Sequence, residues 1–100
     1  MVKHVILWNL KEEYTEAEAL KIKEEIKASL EGLKGVVPGI VEIRVNINPL
    51  ASSNCDLMLD STFEDEASLK TYATHPAHLE VANGKVRPFT SGRVCMDYSL

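Results

Sequence analysis

Between Lys3 and Leu10, apolar side chains fill both alternating sets of positions, with Val2, Ile6, Trp8 and Leu10 on one and Val5 and Leu7 on the other. Successive side chains of a strand point to opposite faces, so a strand of this kind has to be covered on both. A chain of 100 residues holds one domain with one core. One layer of helices covers one face of its sheet, and the other face needs a second cover. A second copy of the same chain is the simplest one. His4 shares its face with Ile6 and Trp8.

Helix and strand signals alternate after this strand. Thr15 followed by Glu18 has capping-box spacing and predicts a helix from Glu16. Ala19, Ile22, Ile26, Leu30 and Leu33 then recur at steps of three and four, forming one apolar stripe. Gly32, Gly35 and the Pro38-Gly39 pair end it. From Ile40 to Ile47, Val41, Ile43, Val45 and Ile47 alternate with Glu42, Arg44 and Asn46, the period of a strand with one polar face. Asn48 to Asn54 reads as a loop leading to a third strand, Cys55 to Phe63. So short a link makes these strands antiparallel neighbours. Asp65 is placed to cap a second helix that turns Leu69, Tyr72 and Ala73 inward. Gly84, Pro88 and Gly92 suggest a turn-rich link to a last strand, Arg93 to Tyr98. The order βαββαβ is the α+β split βαβ, or ferredoxin-like, arrangement, an antiparallel sheet with helices on one face.

Composition narrows the function classes. Fifteen acids against 11 bases give a formal charge of −4, with the lysines of the first helix interspersed among glutamates. No basic stripe offers itself to phosphates, so nucleic acid is not an expected partner. The longest apolar run, Val5 to Trp8, falls far short of the roughly 20 residues of a membrane span. A cytoplasmic protein without a membrane partner is expected. Cys55 and Cys95 are too few for a disulfide framework and read as buried strand residues in a reducing compartment. With the third and fourth strands flanking the first, they stand about 9 to 10 Å apart, beyond disulfide reach.

The densest chemical signal is Tyr72-Ala73-Thr74-His75-Pro76-Ala77-His78. Along an unbroken helix Tyr72 and His78 would point about 240° apart. Pro76 disfavours helical geometry at His75 and suits the first turn of a new helix. A helix restarting there swings His78 back toward Tyr72. A pocket histidine serves as a base near neutral pH, and a phenol donates to a developing oxyanion. His75 reads as a cap. A zinc site on His75, His78 and His4 lacks a recognisable completing ligand, and no metal is expected. Asp56 and Asp60 fit a rim or dimer edge, and neither cysteine lies in an activated setting.

These residues carry a family resemblance. The opening Val2-Lys3-His4-Val5, the strand exit Thr62-Phe63-Glu64-Asp65, the Tyr72 to His78 run and the closing Asp97-Tyr98 make the chain similar to the stress-responsive A/B barrel (Dabb) domains of the dimeric α+β barrels, over nearly its whole length. The resemblance implies a ferredoxin-like subunit closing a barrel with its twofold mate. Most such proteins have no assigned activity; a plant branch comprises polyketide cyclases performing intramolecular aldol ring closure. In that branch the positions of Tyr72 and His78 form the catalytic pair, and that of His4 lines the pocket. Leu57 stands where the cyclases carry a third-strand histidine, and Ile22, Lys23 and Ile26 where they carry aromatic residues. Such a pocket is less polar and has less aromatic area.

The sequence thus leads to a homodimeric, single-domain protein spanning residues 1–100, with an apolar pocket between sheet and helices. Its expected lining is His4, Ile6, Trp8, Ile22, Ile26, Leu57 and Leu59, with Tyr72 and His78 as the catalytic pair and no cofactor. The expected function is a lyase or cyclase acting on a small apolar carbonyl compound. The alternatives are a ligand-binding or stress-associated protein without turnover, and a purely structural dimer module. An open cavity reaching His78 favours the first two; one filled by Trp8 and Ile26 favours the last.

Overall fold

The computed structural model describes residues 1–100 and orders them as β1 (Val2–Leu10), α1 (Glu16–Glu31), β2 (Ile40–Asn46), β3 (Leu57–Phe63), α2 (Glu66–Thr74), α3 (Pro76–Val81) and β4 (Thr90–Ser99). The four strands form one antiparallel sheet in the order β2-β3-β1-β4. This is the ferredoxin-like arrangement that the element order implies. No helix is long and apolar enough to cross a membrane.

Thr15 and Glu18 form the expected capping box at the start of α1: Thr15 Oγ1 accepts from Glu18 N at 3.2 Å, and Glu18 Oε1 accepts from Thr15 N at 2.9 Å. Polar contacts tie α1 to β2. Lys27 Nζ donates to the Val45 carbonyl at 2.8 Å, Lys23 Nζ to the Ile47 carbonyl at 3.3 Å, and Val45 N to Glu31 Oε2 at 2.9 Å. The last bond also satisfies a donor on the exposed edge of the sheet. Ile26, Leu30 and Leu33 of the helical stripe join Ile43, Val45, Leu57 and Leu59 in one buried core. Each such side chain contributes about 1.5–3 kcal/mol.

Three local expectations are corrected. The register of β2 slips between Ile40 and Glu42, and Val41 is exposed instead of following Ile43 inward. Cys55 precedes β3 and is only partly buried, while Cys95 is exposed in the single chain because no helix covers β4 as closely as α1 covers β2; both are free thiols. The link after α3 is not a string of turns. It winds through a π-helical turn, Ala82–Val86, and a 3₁₀ turn, Arg87–Phe89. β4 therefore begins at Thr90, and Gly92 (φ 62°) sits where the β1–β4 register shifts, a backbone conformation that favours glycine.

The sheet face away from the helices is apolar. Val5 pairs with Met96 and Leu7 with Val94. Met96 and Val94 are 65% and 61% exposed in the single chain.

Candidate functional site

His75 creates the site by ending one helix and starting the next. Its extended backbone (ψ 133°) stops α2, and its N–H donates to the Tyr72 carbonyl at 3.1 Å. Its Nδ1 accepts from Ala77 N at 3.1 Å, capping α3, whose first residue is Pro76. The turned chain brings His78 over Tyr72, with ring centroids 4.1 Å apart and planes inclined by 34°. Asp65 fixes the other end of α2, its carboxylate accepting from Ser68 N at 2.7 Å.

Tyr72 is 1% exposed and packed among rings, with Phe63 at 4.9 Å and His4 at 6.1 Å, edge-on. Its hydroxyl is buried without a hydrogen-bond partner. Such an orphaned group costs free energy and marks a place where an outside oxygen would be welcome. Burial pushes the phenol pKa upward, so the group is a proton-bearing donor. His78 is half-buried, and its Nδ1 lies 3.3 Å from the Ala73 carbonyl. A carbonyl only accepts, so the contact assigns the proton to Nδ1 and leaves the Nε2 lone pair free. Burial lowers the His78 pKa most; the Ala73 carbonyl opposes the shift, and the charges of His4, Arg87 and Arg93 add to it. The imidazole is neutral at physiological pH.

A cavity of about 680 Å³ opens beside this pair. His4, Ile6, Trp8, Leu59, Tyr72 and His78 all line it, so six of the nine residues singled out from the sequence meet there. Trp8 is a wall of the cavity and does not fill it. Ile22, Ile26 and Leu57 are not part of the lining. The reason is the position of α1, tied to β2: Ile26 and Leu57 are buried in the core on the half of the sheet that this helix covers, and of its stripe Leu30 alone reaches the cavity. The missing walls come from segments that read in the sequence as a link and an edge strand: Ala82, Val86 and Arg87 after α3, and Arg93, Cys95 and Asp97 of β4. Pairing of Ile6 with Cys95 and of His4 with Asp97 places these β4 residues on the face of His4. His4 Nδ1 and Asp97 Oδ1 are 2.5 Å apart, and Ser61 Oγ donates to the His4 carbonyl at 2.7 Å. Asp56 and Asp60 are structural: Asp56 Oδ2 accepts from Leu10 N, and Asp60 pairs with Lys3 at 2.8 Å.

Comparison with known proteins agrees with this architecture. The model of the stress responsive A/B barrel domain matches residues 2–100. A dimeric protein of unknown function and ferredoxin-like fold from Bacteroides fragilis is 28% identical, with a TM-score of 0.90 over 99% of this chain and 95% of that one. A Dabb family protein from Mesorhizobium loti superposes with a TM-score of 0.79 at 13% identity, covering 99% and 95% of the two chains. A hydroxynitrile lyase from Passiflora edulis does so with a TM-score of 0.78 at 20% identity, covering 97% and 90%. These last two show likeness of fold alone. No match is found among curated proteins. With its fold, its Tyr-x-x-His-Pro-x-His turn and a family match over nearly every residue, the chain belongs to the stress responsive A/B barrel domain (Dabb) family.

Proposed function

We propose that the cavity binds a small carbonyl compound and that His78 and Tyr72 promote lyase or cyclase chemistry on it. The observation that carries this reading is the pairing of a neutral histidine with a buried, unpartnered phenol on one cavity wall. In the reaction, His78 Nε2 takes a proton from the carbon next to a carbonyl, and the C–H electron pair moves to the carbonyl oxygen as an enolate. The Tyr72 hydroxyl donates a hydrogen bond to that oxygen. For ring closure the enolate carbon attacks a second carbonyl of the same molecule, and protonated His78 returns its proton to the new alkoxide. No cofactor is required by these steps. His4, held by Asp97, would orient the substrate, with Ile6, Trp8 and Leu59 as apolar walls. Lys70, Arg87 and Arg93 outnumber Glu66 and Asp97 in the same lining, which supports a ligand that also bears an anionic group. The hydroxynitrile lyase on the same fold supports carbonyl chemistry by analogy only.

The assembly we propose is a homodimer closed over the outer sheet face. The exposed Val94 and Met96 beside Val5 and Leu7 support it, as does the description of the Bacteroides fragilis relative as dimeric. The test of function is a screen of poly-β-keto thioesters and related carbonyl compounds for binding and turnover, using wild type, His78→Ala and Tyr72→Phe. Turnover that His78→Ala nearly abolishes and Tyr72→Phe weakens supports the reading. Binding without turnover replaces it with a ligand-binding, stress-associated protein. No binding leaves a structural dimer module.

A further inference from the structure

The wall of the cavity opposite the helices brings together three groups with no role in the proton-transfer steps above. Cys95 Sγ lies 3.8 Å from His4 Nδ1 and 3.6 Å from Asp97 Oδ1, and the last two are 2.5 Å apart. β4 supplies Cys95 and Asp97 two residues apart on one face, and β1 supplies His4 from the facing register position. Both partners approach the same ring nitrogen. A nucleophilic triad requires the thiol on one imidazole nitrogen and the carboxylate on the other. Convergence on a single point is instead the geometry of chelation.

We propose that His4, Cys95 and Asp97 form a binding site for a divalent transition-metal ion of the zinc class. A circle through the three donor atoms has a radius of about 2 Å, the length of a Zn–N or Zn–O bond and slightly under the Zn–S bond of about 2.3 Å. An ion just off their plane therefore reaches all three with little more than a widening of the His4–Asp97 contact. A soft thiolate and a borderline imidazole beside a single carboxylate make a mixed N/S/O donor set that suits zinc and cobalt, whereas magnesium and calcium call for oxygen ligands throughout. Three protein ligands leave a fourth position, and here it opens on the cavity that all three residues line. His4 is oriented for the task, its ring held edge-on against Phe63 and Tyr72. This ligand set differs from the His75, His78 and His4 combination, because His75 is occupied in capping α3. On entry the ion displaces the proton between Nδ1 and Asp97 and the proton of the thiol.

The experiment is titration of the full chain with Co²⁺ followed by absorption spectroscopy, then competition with Zn²⁺. Expected are a thiolate-to-cobalt charge-transfer band and d–d bands of tetrahedral intensity, both bleached by Zn²⁺. Cys95→Ser should remove the charge-transfer band, and Asp97→Asn should weaken binding by more than the roughly 10- to 100-fold that losing an outer hydrogen-bond partner costs. Cys55→Ser and His78→Ala should leave the spectrum as it is. Circular dichroism of each variant separates loss of the site from loss of the fold, and Cys95, being exposed, is replaceable without disturbing the core. A chain that shows no cobalt–thiolate band, or one whose band survives Cys95→Ser, has no such site. Neither result bears on His78 and Tyr72, whose proposed chemistry is read from turnover.

Discussion

Replacing Tyr72 with phenylalanine should make the ligand-free protein more stable and less active. The Tyr72 hydroxyl is buried with no partner, and an unsatisfied group of this kind costs about 1–3 kcal/mol. Phenylalanine keeps the ring contacts with Phe63 at 4.9 Å and His78 at 4.1 Å and removes only the orphaned atom. The variant should therefore gain about 1 kcal/mol or more, and for a domain of this size each kcal/mol moves the thermal midpoint by roughly 4–8 °C. Thermal unfolding followed by circular dichroism measures it, at one fixed protein concentration because association also shifts the midpoint. Loss of the donor should at the same time cost about 10² in turnover. A gain in stability joined to a loss of activity is the signature of a group retained for a ligand. A lowered midpoint would mean instead that the hydroxyl is hydrogen-bonded within the folded protein and is not kept for a ligand.

The pH dependence follows from His78. Its folded pKa is lowered, so below the ordinary value of about 6.5 the unfolded chain takes up a proton before the folded one. The His78 contribution to stability should be complete above pH 6.5 and fall as pH drops below it; denaturant titrations of wild type and His78→Ala across that range check the sign. The acid limb of kcat/KM should likewise lie below pH 6.5. Pro76→Ala should extend α2 or loosen the start of α3, spare the fold, and move His78 away from Tyr72, read as weakened ligand binding. Met96→Asp, which puts a charge on the outer sheet face, should convert the dimer to monomer by light scattering, whereas a wild-type protein already monomeric at micromolar concentration would remove the barrel assembly.

The parts of this fold legible from sequence are those fixed by local chemistry. Thr15 with Glu18 sets the start of α1, and the His75-Pro76 break sets the reversal that joins Tyr72 to His78, because a cap and a missing N–H act within a few residues. The parity of β1 placed His4, Ile6 and Trp8 on one face, since strand alternation is a property of the backbone. Ile22, Ile26 and Leu57 could not be sorted in this way. Whether an apolar residue meets a helix or an open cavity depends on which half of the sheet α1 covers, and Lys23, Lys27 and Glu31 settle that through contacts with residues 14 to 24 positions away. Gly84 and Pro88 read as turns, yet helical winding runs through them, because Gly84 takes no positive φ and Pro88 stands in the first turn of a 3₁₀ helix, where its missing N–H costs no bond. Arg93, Cys95 and Asp97 show the same limit: a polar strand face turned to a cavity has the same pattern as one turned to water. Only the register against His4 and Ile6 distinguishes the two.

In the proposed reaction His78 removes a proton next to a carbonyl while Tyr72 holds the resulting oxyanion. Deuterium incorporation at the α-carbon of keto thioesters and simple ketones in heavy water, followed by NMR, measures this step whatever product the full reaction forms. Wild type should accelerate the exchange above the buffer background, and His78→Ala should lose about 10² to 10⁴ of that acceleration. Equal exchange by wild type and His78→Ala, or none above background from either, would contradict it.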